Sequence, residues 1–390
     1  MTNLVSKWNY PTTVRFGAGR ISELPDALAA AGIRRPLFVT DPGLVKLPVV
    51  ARALKILDDA GVPYAVFSDV KPNPVEANLT AGIEAWKKGG HDGAIVFGGG
   101  SALDLGKLIA FQAGQTRPVW DFEDIGDWWT RADASKIAPI VAVPTTAGTG
   151  SEVGRAAVLT HEESHTKKII FHPKLLPQIV IADPELTTGM PAFITIGTGM
   201  DALAHCLEAY CAPGYHPMAD GIALEGMRLV FENLPKAVAN PNDLTARAHM
   251  MSAAAMGATA FQKGLGAIHS LSHPIGALYD THHGMTNGVF MPYVLAFNRP
   301  AVDERLTRAA AYLGIEGGYE GFAQAILKLR EQLGVPHTLP DLVKGLSMDA
   351  DRKMMIAEMA VADPSTGSNP VPFTKEAALE VLENTIEGRL

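Results

Sequence analysis

The chain has 390 residues, 47% hydrophobic and 19% charged, which is enough for two ordinary domains with buried cores and gives no sign of disorder. Its formal net charge of −8 at pH 7 excludes the basic footprint that nucleic acids and anionic membranes require, so small molecules are the expected partners. The first residues, MTNLVSKWNYPTTVRFG, lack the basic and long apolar regions of a secretory signal, and the only two cysteines, Cys206 and Cys211, make no disulfide framework; a cytoplasmic protein is expected.

Along the first half, apolar β-type runs at residues 35–40, 64–67, 93–97 and 140–143 alternate with helical spacing at residues 49–60, 77–88 and 101–112. Strand, helix, strand in that order predicts right-handed crossovers and a mostly parallel, Rossmann-like sheet covered on both faces, with ligands at the carboxyl ends of its strands. After Asp183-Pro184-Glu185-Leu186-Thr187 the texture changes, and residues 196–211, 217–234, 244–260 and 301–313 carry helical spacing with little alternation. The fold expected is an α/β dinucleotide-binding domain over residues 1–186 and an all-α domain over residues 187–390.

Asp41 closes the first of these strands, where a carboxylate can bond a ribose hydroxyl and would repel a 2′-phosphate, so NAD is expected over NADP; an Asx-type turn at Asp41-Pro42-Gly43 explains the same residues. The run Ile95-Val96-Phe97-Gly98-Gly99-Gly100-Ser101 is a buried strand, a glycine turn and a helix start, where free backbone N–H groups can receive a phosphate. Alone it is a weak signal. Pro144-Thr145-Thr146-Ala147-Gly148-Thr149-Gly150-Ser151-Glu152 follows another strand with hydroxyls and glycine amides, and two such loops on one sheet favour a dinucleotide.

In the second half, Asp201 and His205 stand at i and i+4, as do His269 and His273, and His282-His283-Gly284 follows. Any one pair is unremarkable, but Asp201 together with His205, His269, His273, His282 and His283, on an apolar helical background, points to a divalent cation. Such a cation with open positions polarises an alcohol or carbonyl oxygen, which together with a nicotinamide suits hydride transfer.

With these motifs in this order, and with Phe16-Gly17-Ala18-Gly19 and Asp183-Pro184, the chain resembles the iron-containing (group III) alcohol dehydrogenases over its whole length. The resemblance implies Asp201, His205, His269 and His283 as metal ligands, the last two fourteen residues apart, and His273 as a proton relay near nicotinamide and substrate. It implies that Asp41, Asn73, Gly98, Gly99, Gly100, Ser101, Asp104, Thr145, Thr146, Thr149 and Lys167 contact or support NAD, and that the protein is a homodimer using Fe²⁺, with Zn²⁺ or another divalent metal also compatible with the donors. Ser151–Arg155 with Ala260–Gly266 and Asp220–Leu224 look most like the 4-hydroxybutyrate dehydrogenases, and Arg155 and Lys263 would suit a substrate carboxylate remote from the hydroxyl. The expected activity is therefore metal-dependent, NAD(H)-linked interconversion of a small primary alcohol or ω-hydroxy acid with its aldehyde. The alternatives are an NAD- and metal-dependent lyase like dehydroquinate synthase, which would release no NADH, and a glycerol or polyol dehydrogenase of the same superfamily.

Overall fold

Six parallel strands organise the first half. In the computed structural model, which describes residue 10 and residues 12–164 and 166–390, the order of elements is β1 (Thr13–Phe16), α1 (Leu24–Ala30), β2 (Pro36–Val39), α2 (Pro48–Asp59), β3 (Ala65–Phe67), α3 (Glu76–Gly89), β4 (Gly93–Gly98), α4 (Gly100–Gln112), β5 (Ile140–Pro144), β6 (Ala156–His161), β7 (Thr166–Phe171) and β8 (Ile179–Ala182). The sheet runs β1-β8-β5-β4-β2-β3, parallel throughout, while β6 and β7 form a separate antiparallel pair. The first nine residues, read above for a leader, lie outside the described residues.

The registers explain why these strands read as unbroken apolar runs. Phe38 pairs with Ile95 and Val39 with Val96, so Phe38, Ile95 and Phe97 share one face and Val39 and Val96 the other. The first face packs on Leu24, Leu28, Val50 and Leu57 of α1 and α2, with Phe38 stacked on Phe97 at 5.1 Å. Against the second lies Gly106 of α4, where a Cβ would overlap Val96. Both faces being covered, neither can carry the polar alternation of a half-exposed strand.

The second half is helical: α5 (Ala192–Cys211), α6 (Pro217–Ala239), α7 (Leu244–Ala260), α8 (Ala267–Tyr279), α9 (His283–Tyr312), α10 (Gly318–Leu333), α11 (Leu339–Leu342), α12 (Ala350–Ala362) and α13 (Lys375–Glu387). Helix α5 is its centre, with every residue from Gly199 to Cys211 buried, as expected for a helix apolar on all sides. Contacts divide the chain after Gly189 into two compact units. No helix of the described residues is long and apolar enough to cross a membrane.

Two differences from the sequence reading have clear causes. The helix expected at residues 301–313 is the last part of α9, 30 residues long, which starts at His283 and carries Pro292 and Pro300 inside it. Prolines read as helix ends, but a packed helix tolerates the missing hydrogen bond. The β6–β7 pair went unread because its strands, AAVLTH and TKKIIF, are only partly buried and carry no clear period of two.

Candidate metal centre and dinucleotide loops

In the helical unit, Asp201 and His205 project from one face of α5, His269 comes from the first turn of α8, and His283 is the first residue of α9. Asp201 Oδ1 lies 3.6 Å from His205 Nε2, 3.6 Å from His269 Nε2 and 3.5 Å from His283 Nε2. Donor atoms about 2.1 Å from one cation in a tetrahedral array stand about 3.4 Å apart, so these spacings fit a shared divalent ion. Asp201, His205 and His269 form a buried group with the mutual spacing of a metal site.

Glycine permits the approach. A Cβ on Gly284 would overlap the Gly197 carbonyl oxygen and stand 3.0 Å from the Asp201 Cβ, and one on Gly197 would overlap the His282 ring. The first turn of α9 can therefore lie directly on α5 and bring His283 to Asp201.

The electrostatics call for positive charge. Burial opposes the Asp201 charge, yet His205, His269 and His283 hold its carboxyl well below the ordinary range. Burial likewise opposes a charged His269, but Glu208 and Asp201 flank it and raise it to about 10. Two buried carboxylates around one imidazole make a place that a divalent cation would neutralise. Asn287, fully buried one turn after His283, adds a further sign. Its Nδ2 lies 2.9 Å from Asp201 Oδ1 and within 3.3 Å of His269 Nε2 and His283 Nε2, while its Oδ1 is buried without a hydrogen-bond partner. An unpartnered amide oxygen beside four donors fits a site built for a cation.

His273 stacks on His283 with ring centres 5.3 Å apart, and its Nδ1 is 2.7 Å from Asp363 Oδ2. The ionised Asp363 can only accept, so Nδ1 carries the proton. His282 caps α9 by accepting from the Met285 N–H at 3.4 Å and packs against Phe193 and Gly197, as a neighbour of the donor cluster that feels the Asp201 charge. Lys263 is bound to Asp220 at 2.5 Å and to the Tyr210 carbonyl at 3.3 Å, and Arg305 holds the other oxygen of Asp220 at 2.6 Å. Asp220 thus holds the Lys263 ammonium inside the helical unit together with the Arg305 guanidinium.

In the α/β unit, the loops after β2, β4 and β5 meet at the carboxyl end of the sheet, where Gly98 pairs with Pro144. Thr145 N–H donates to the Gly98 carbonyl at 2.9 Å, and a Cβ on Gly100 would stand 2.8 Å from Thr149 Oγ1, with Gly99 closing on Thr146 in the same way. Ser101 Oγ donates to the Pro72 carbonyl at 2.5 Å and so fixes the loop that bears Asn73 beside the α4 N-terminus. Asp41 Oδ1 accepts from Gly43 and Leu44 N–H at 3.0 and 2.7 Å, while Oδ2 lies toward Gly98 and accepts from no described residue. The Asx turn therefore uses one carboxylate oxygen and leaves the other without a donor among the described residues.

Asp104 points under the loops. It accepts from Ser151 Oγ and from the Val158 N–H at 2.9 Å, which makes it a support for residues 151–158. Lys107, which the sequence reading passed over, is fully buried and donates to Ser151 O and Oγ at 2.9 Å and to Ala156 O at 2.5 Å. Together they clamp residues 151–158 onto α4. Of the two adjacent lysines, Lys168 pairs with Glu123 at 2.7 Å and Lys167, opposite Thr160 in the β6–β7 ladder, acts electrostatically on Asp104. Arg155, at the mouth of β6, lies over the Phe171 ring at 5.3 Å, its burial offset by Asp124.

Comparison with known proteins gives two family matches, "Iron-containing alcohol dehydrogenase" over residues 11–184 and "Fe-containing alcohol dehydrogenase family, C-terminal" over residues 195–386. The 4-hydroxybutyrate dehydrogenase of Cupriavidus necator is 40% identical over 97% of this chain and 99% of its own. Among solved structures, a 1,3-propanediol oxidoreductase superposes with a TM-score of 0.91 at 34% identity, covering 98% of this chain and 100% of that one. A sulfoacetaldehyde reductase from Bifidobacterium kashiwanohense, solved with NAD⁺, gives 0.88 at 30% identity, with 98% and 99% covered.

Proposed function

This chain belongs to the iron-containing alcohol dehydrogenase family and is an NAD-linked alcohol oxidoreductase, and on that premise we propose that it interconverts a small ω-hydroxy acid of the 4-hydroxybutyrate kind with its aldehyde. The observation that carries the reading is the cluster of Asp201 Oδ1 with three imidazole Nε2 atoms at 3.5 to 3.6 Å. Asp201, His205, His269 and His283 would hold a divalent metal, Fe²⁺ by family and Zn²⁺ by affinity order. When bound, such a cation supplies a Lewis acid for the alcohol oxygen.

The chain's own residues do the rest. As the alcohol gives its hydride to the nicotinamide, its hydroxyl proton must leave, and His273, held by Asp363 with its proton on Nδ1, keeps Nε2 as the acceptor that relays it to solvent. Gly98 to Ser101 at the α4 N-terminus and Thr145, Thr146 and Thr149 would receive the diphosphate, Asn73 and Lys167 would flank the cofactor, and Asp41 Oδ2 would bond the adenosine ribose. A carboxylate at the remote end of the substrate is supported by the 40% identical 4-hydroxybutyrate dehydrogenase and by Arg155, a half-buried cation next to the cofactor loop. Lys263 takes a structural role in this reading, because Asp220 already holds it. Cytoplasmic location and a homodimer complete the proposal.

The test is NADH formation at the nicotinamide absorbance band by metal-stripped protein reloaded with Fe²⁺ or Zn²⁺, with 4-hydroxybutyrate, 1-butanol, 1,3-propanediol and glycerol as substrates. Strong metal-dependent turnover of 4-hydroxybutyrate with NAD⁺, and a KM for it that rises at least tenfold in Arg155→Met while that for 1-butanol stays put, is the expected result. Turnover confined to plain alcohols would remove the carboxylate from the proposal, and preference for NADP⁺ would remove the role of Asp41.

A further inference from the structure

Glu208 lies on α5 at i+7 from Asp201 and i+3 from His205, on the stripe that supplies two of the candidate ligands, yet it is itself no ligand. Its carboxylate is turned to the start of α8: Oε2 meets His269 Nδ1, and Oε1 accepts from the Ile268 N–H at 2.8 Å and the His269 N–H at 3.4 Å. The group is buried, and no lysine or arginine reaches it by an ion pair among the described residues. Gly266 is part of the arrangement, since a Cβ there would stand 3.1 Å from Glu208 Oε1 and 2.8 Å from Asn369 Oδ1. One carboxylate thus takes three hydrogen bonds from two consecutive residues, one of them the imidazole whose other nitrogen faces Asp201.

We propose that Glu208 is a positioning residue for the metal centre: it fixes the His269 ring in the tautomer with its proton on Nδ1, leaving the Nε2 lone pair for the cation, and it ties the first turn of α8 to α5. This rests on the ligand reading given above. A carboxylate has no hydrogen of its own to donate, so with Glu208 in place the Nδ1 of His269 must be the donor, and Nε2 cannot also hold the proton when a metal is bound. The full bond set also fixes the ring plane, because the backbone bonds set the carboxylate and the carboxylate sets the imidazole.

A glutamine at 208 keeps the shape and breaks this logic. Its amide must aim NH₂ either at the two backbone N–H groups, leaving these donors facing a donor, or at Nδ1, which moves the imidazole proton to Nε2 and blocks ligation. Outer partners of metal-bound histidines typically contribute a factor of about 10 to 100 in affinity. Glu208→Gln is therefore expected to weaken Zn²⁺ and Co²⁺ binding by about 10- to 100-fold, read by competition with a chelating dye on the metal-stripped full chain, with the thermal midpoint of the metal-free protein close to wild type. The visible absorption of the Co²⁺ form should change as well, because one imidazole would be lost or tilted.

Unchanged affinity in Glu208→Gln, alongside lost affinity in His205→Ala, overturns the positioning role and leaves the ligand reading intact. Full affinity in His205→Ala would instead overturn the ligand reading, and the role of Glu208 with it. Should the glutamine variant not fold, the wild-type protein decides: with Zn²⁺ bound, ¹⁵N–¹H correlation must show the His269 proton on Nδ1, and a proton on Nε2 sinks the proposal.

Discussion

Glu152, the last residue of the PTTAGTGSE run, is buried, and burial pushes its carboxyl from the usual 4.5 up to about 7 against the help of its own backbone N–H and of Lys107. An acid whose folded pKa is raised binds more protons folded than unfolded between those two values. Stability contributed by the protonated carboxyl is therefore present below about pH 4.5, is lost as pH rises to about 7, and is constant above that. The loss is on the order of 3 kcal/mol for this one group. Urea unfolding at pH 5 and pH 8 should show the wild type less stable at pH 8 by this share, and Glu152→Gln should narrow the difference between the two pH values by a comparable amount. An unaltered difference would mean that Lys107 keeps Glu152 charged at both. Among single residues, the candidate ligands were legible as a set through the family resemblance rather than through spacing, since i and i+4 flag Asp201 with His205 but pair His269 with His273 and leave His283 without a partner. Lys107 and Glu208 were not, because nothing in a lone lysine or glutamate on a helix tells a buried clamp from a solvated surface charge, and Asn287 lacks the charge or ring that flags a site.

Helices α5, α8 and α9 meet because small residues let them, and the consequence can be measured at Gly284. An alanine there must displace the Gly197 carbonyl, which is backbone and cannot rotate away, so the first turn of α9 would lift from α5 and carry His283 away from its 3.5 Å approach to Asp201. Gly284→Ala should destabilise the protein by about 1–3 kcal/mol or more and weaken metal binding, although alanine is the better helix former. Gly221→Ala, at an exposed site on α6 with nothing near its Cβ, is the control and should be neutral or stabilising by up to about 1 kcal/mol. Equal effects in calorimetry and chelator competition would show that close approach of the helices is not what seats His283. Four of the six sheet strands and the helices between them were readable because a two-faced sheet with amphipathic crossovers leaves a strong periodic signal, while the short strands β1 and β8 were not. The length of α9 was not readable, since two prolines and a start inside the histidine cluster disguise one helix as a loop and a fragment.

At the scale of the whole molecule, two kinds of chemistry are built on two kinds of scaffold. Backbone N–H groups and short hydroxyls at a sheet's carboxyl end suit an extended dinucleotide, while a directional cation site needs stiff helices that hold imidazoles at fixed angles. Every candidate ligand falls between residues 201 and 283, and none of them lies in the strands of the parallel sheet or in the core between β2, β4, β5 and their helices. Metal bound to the folded chain stabilises it by mass action, and the stabilisation appears where the donors are anchored. Removing the metal with a chelator should therefore speed amide exchange in Ala192–Cys211, Ala267–Tyr279 and the first turns of His283–Tyr312, while Pro36–Val39, Gly93–Gly98 and Ile140–Pro144 keep their protection. The reason for the first is physical: the cation would tie Asp201 and His205 of α5 to His269 of α8 and His283 of α9, so its removal releases cross-links between these three helices and none in the sheet. Restoring Zn²⁺ should bring the slow exchange back. Equal loss of protection in the sheet would mean that the cation stabilises the chain as one cooperative body, and protection unchanged in α5 and α8 would mean that those helices do not hold it.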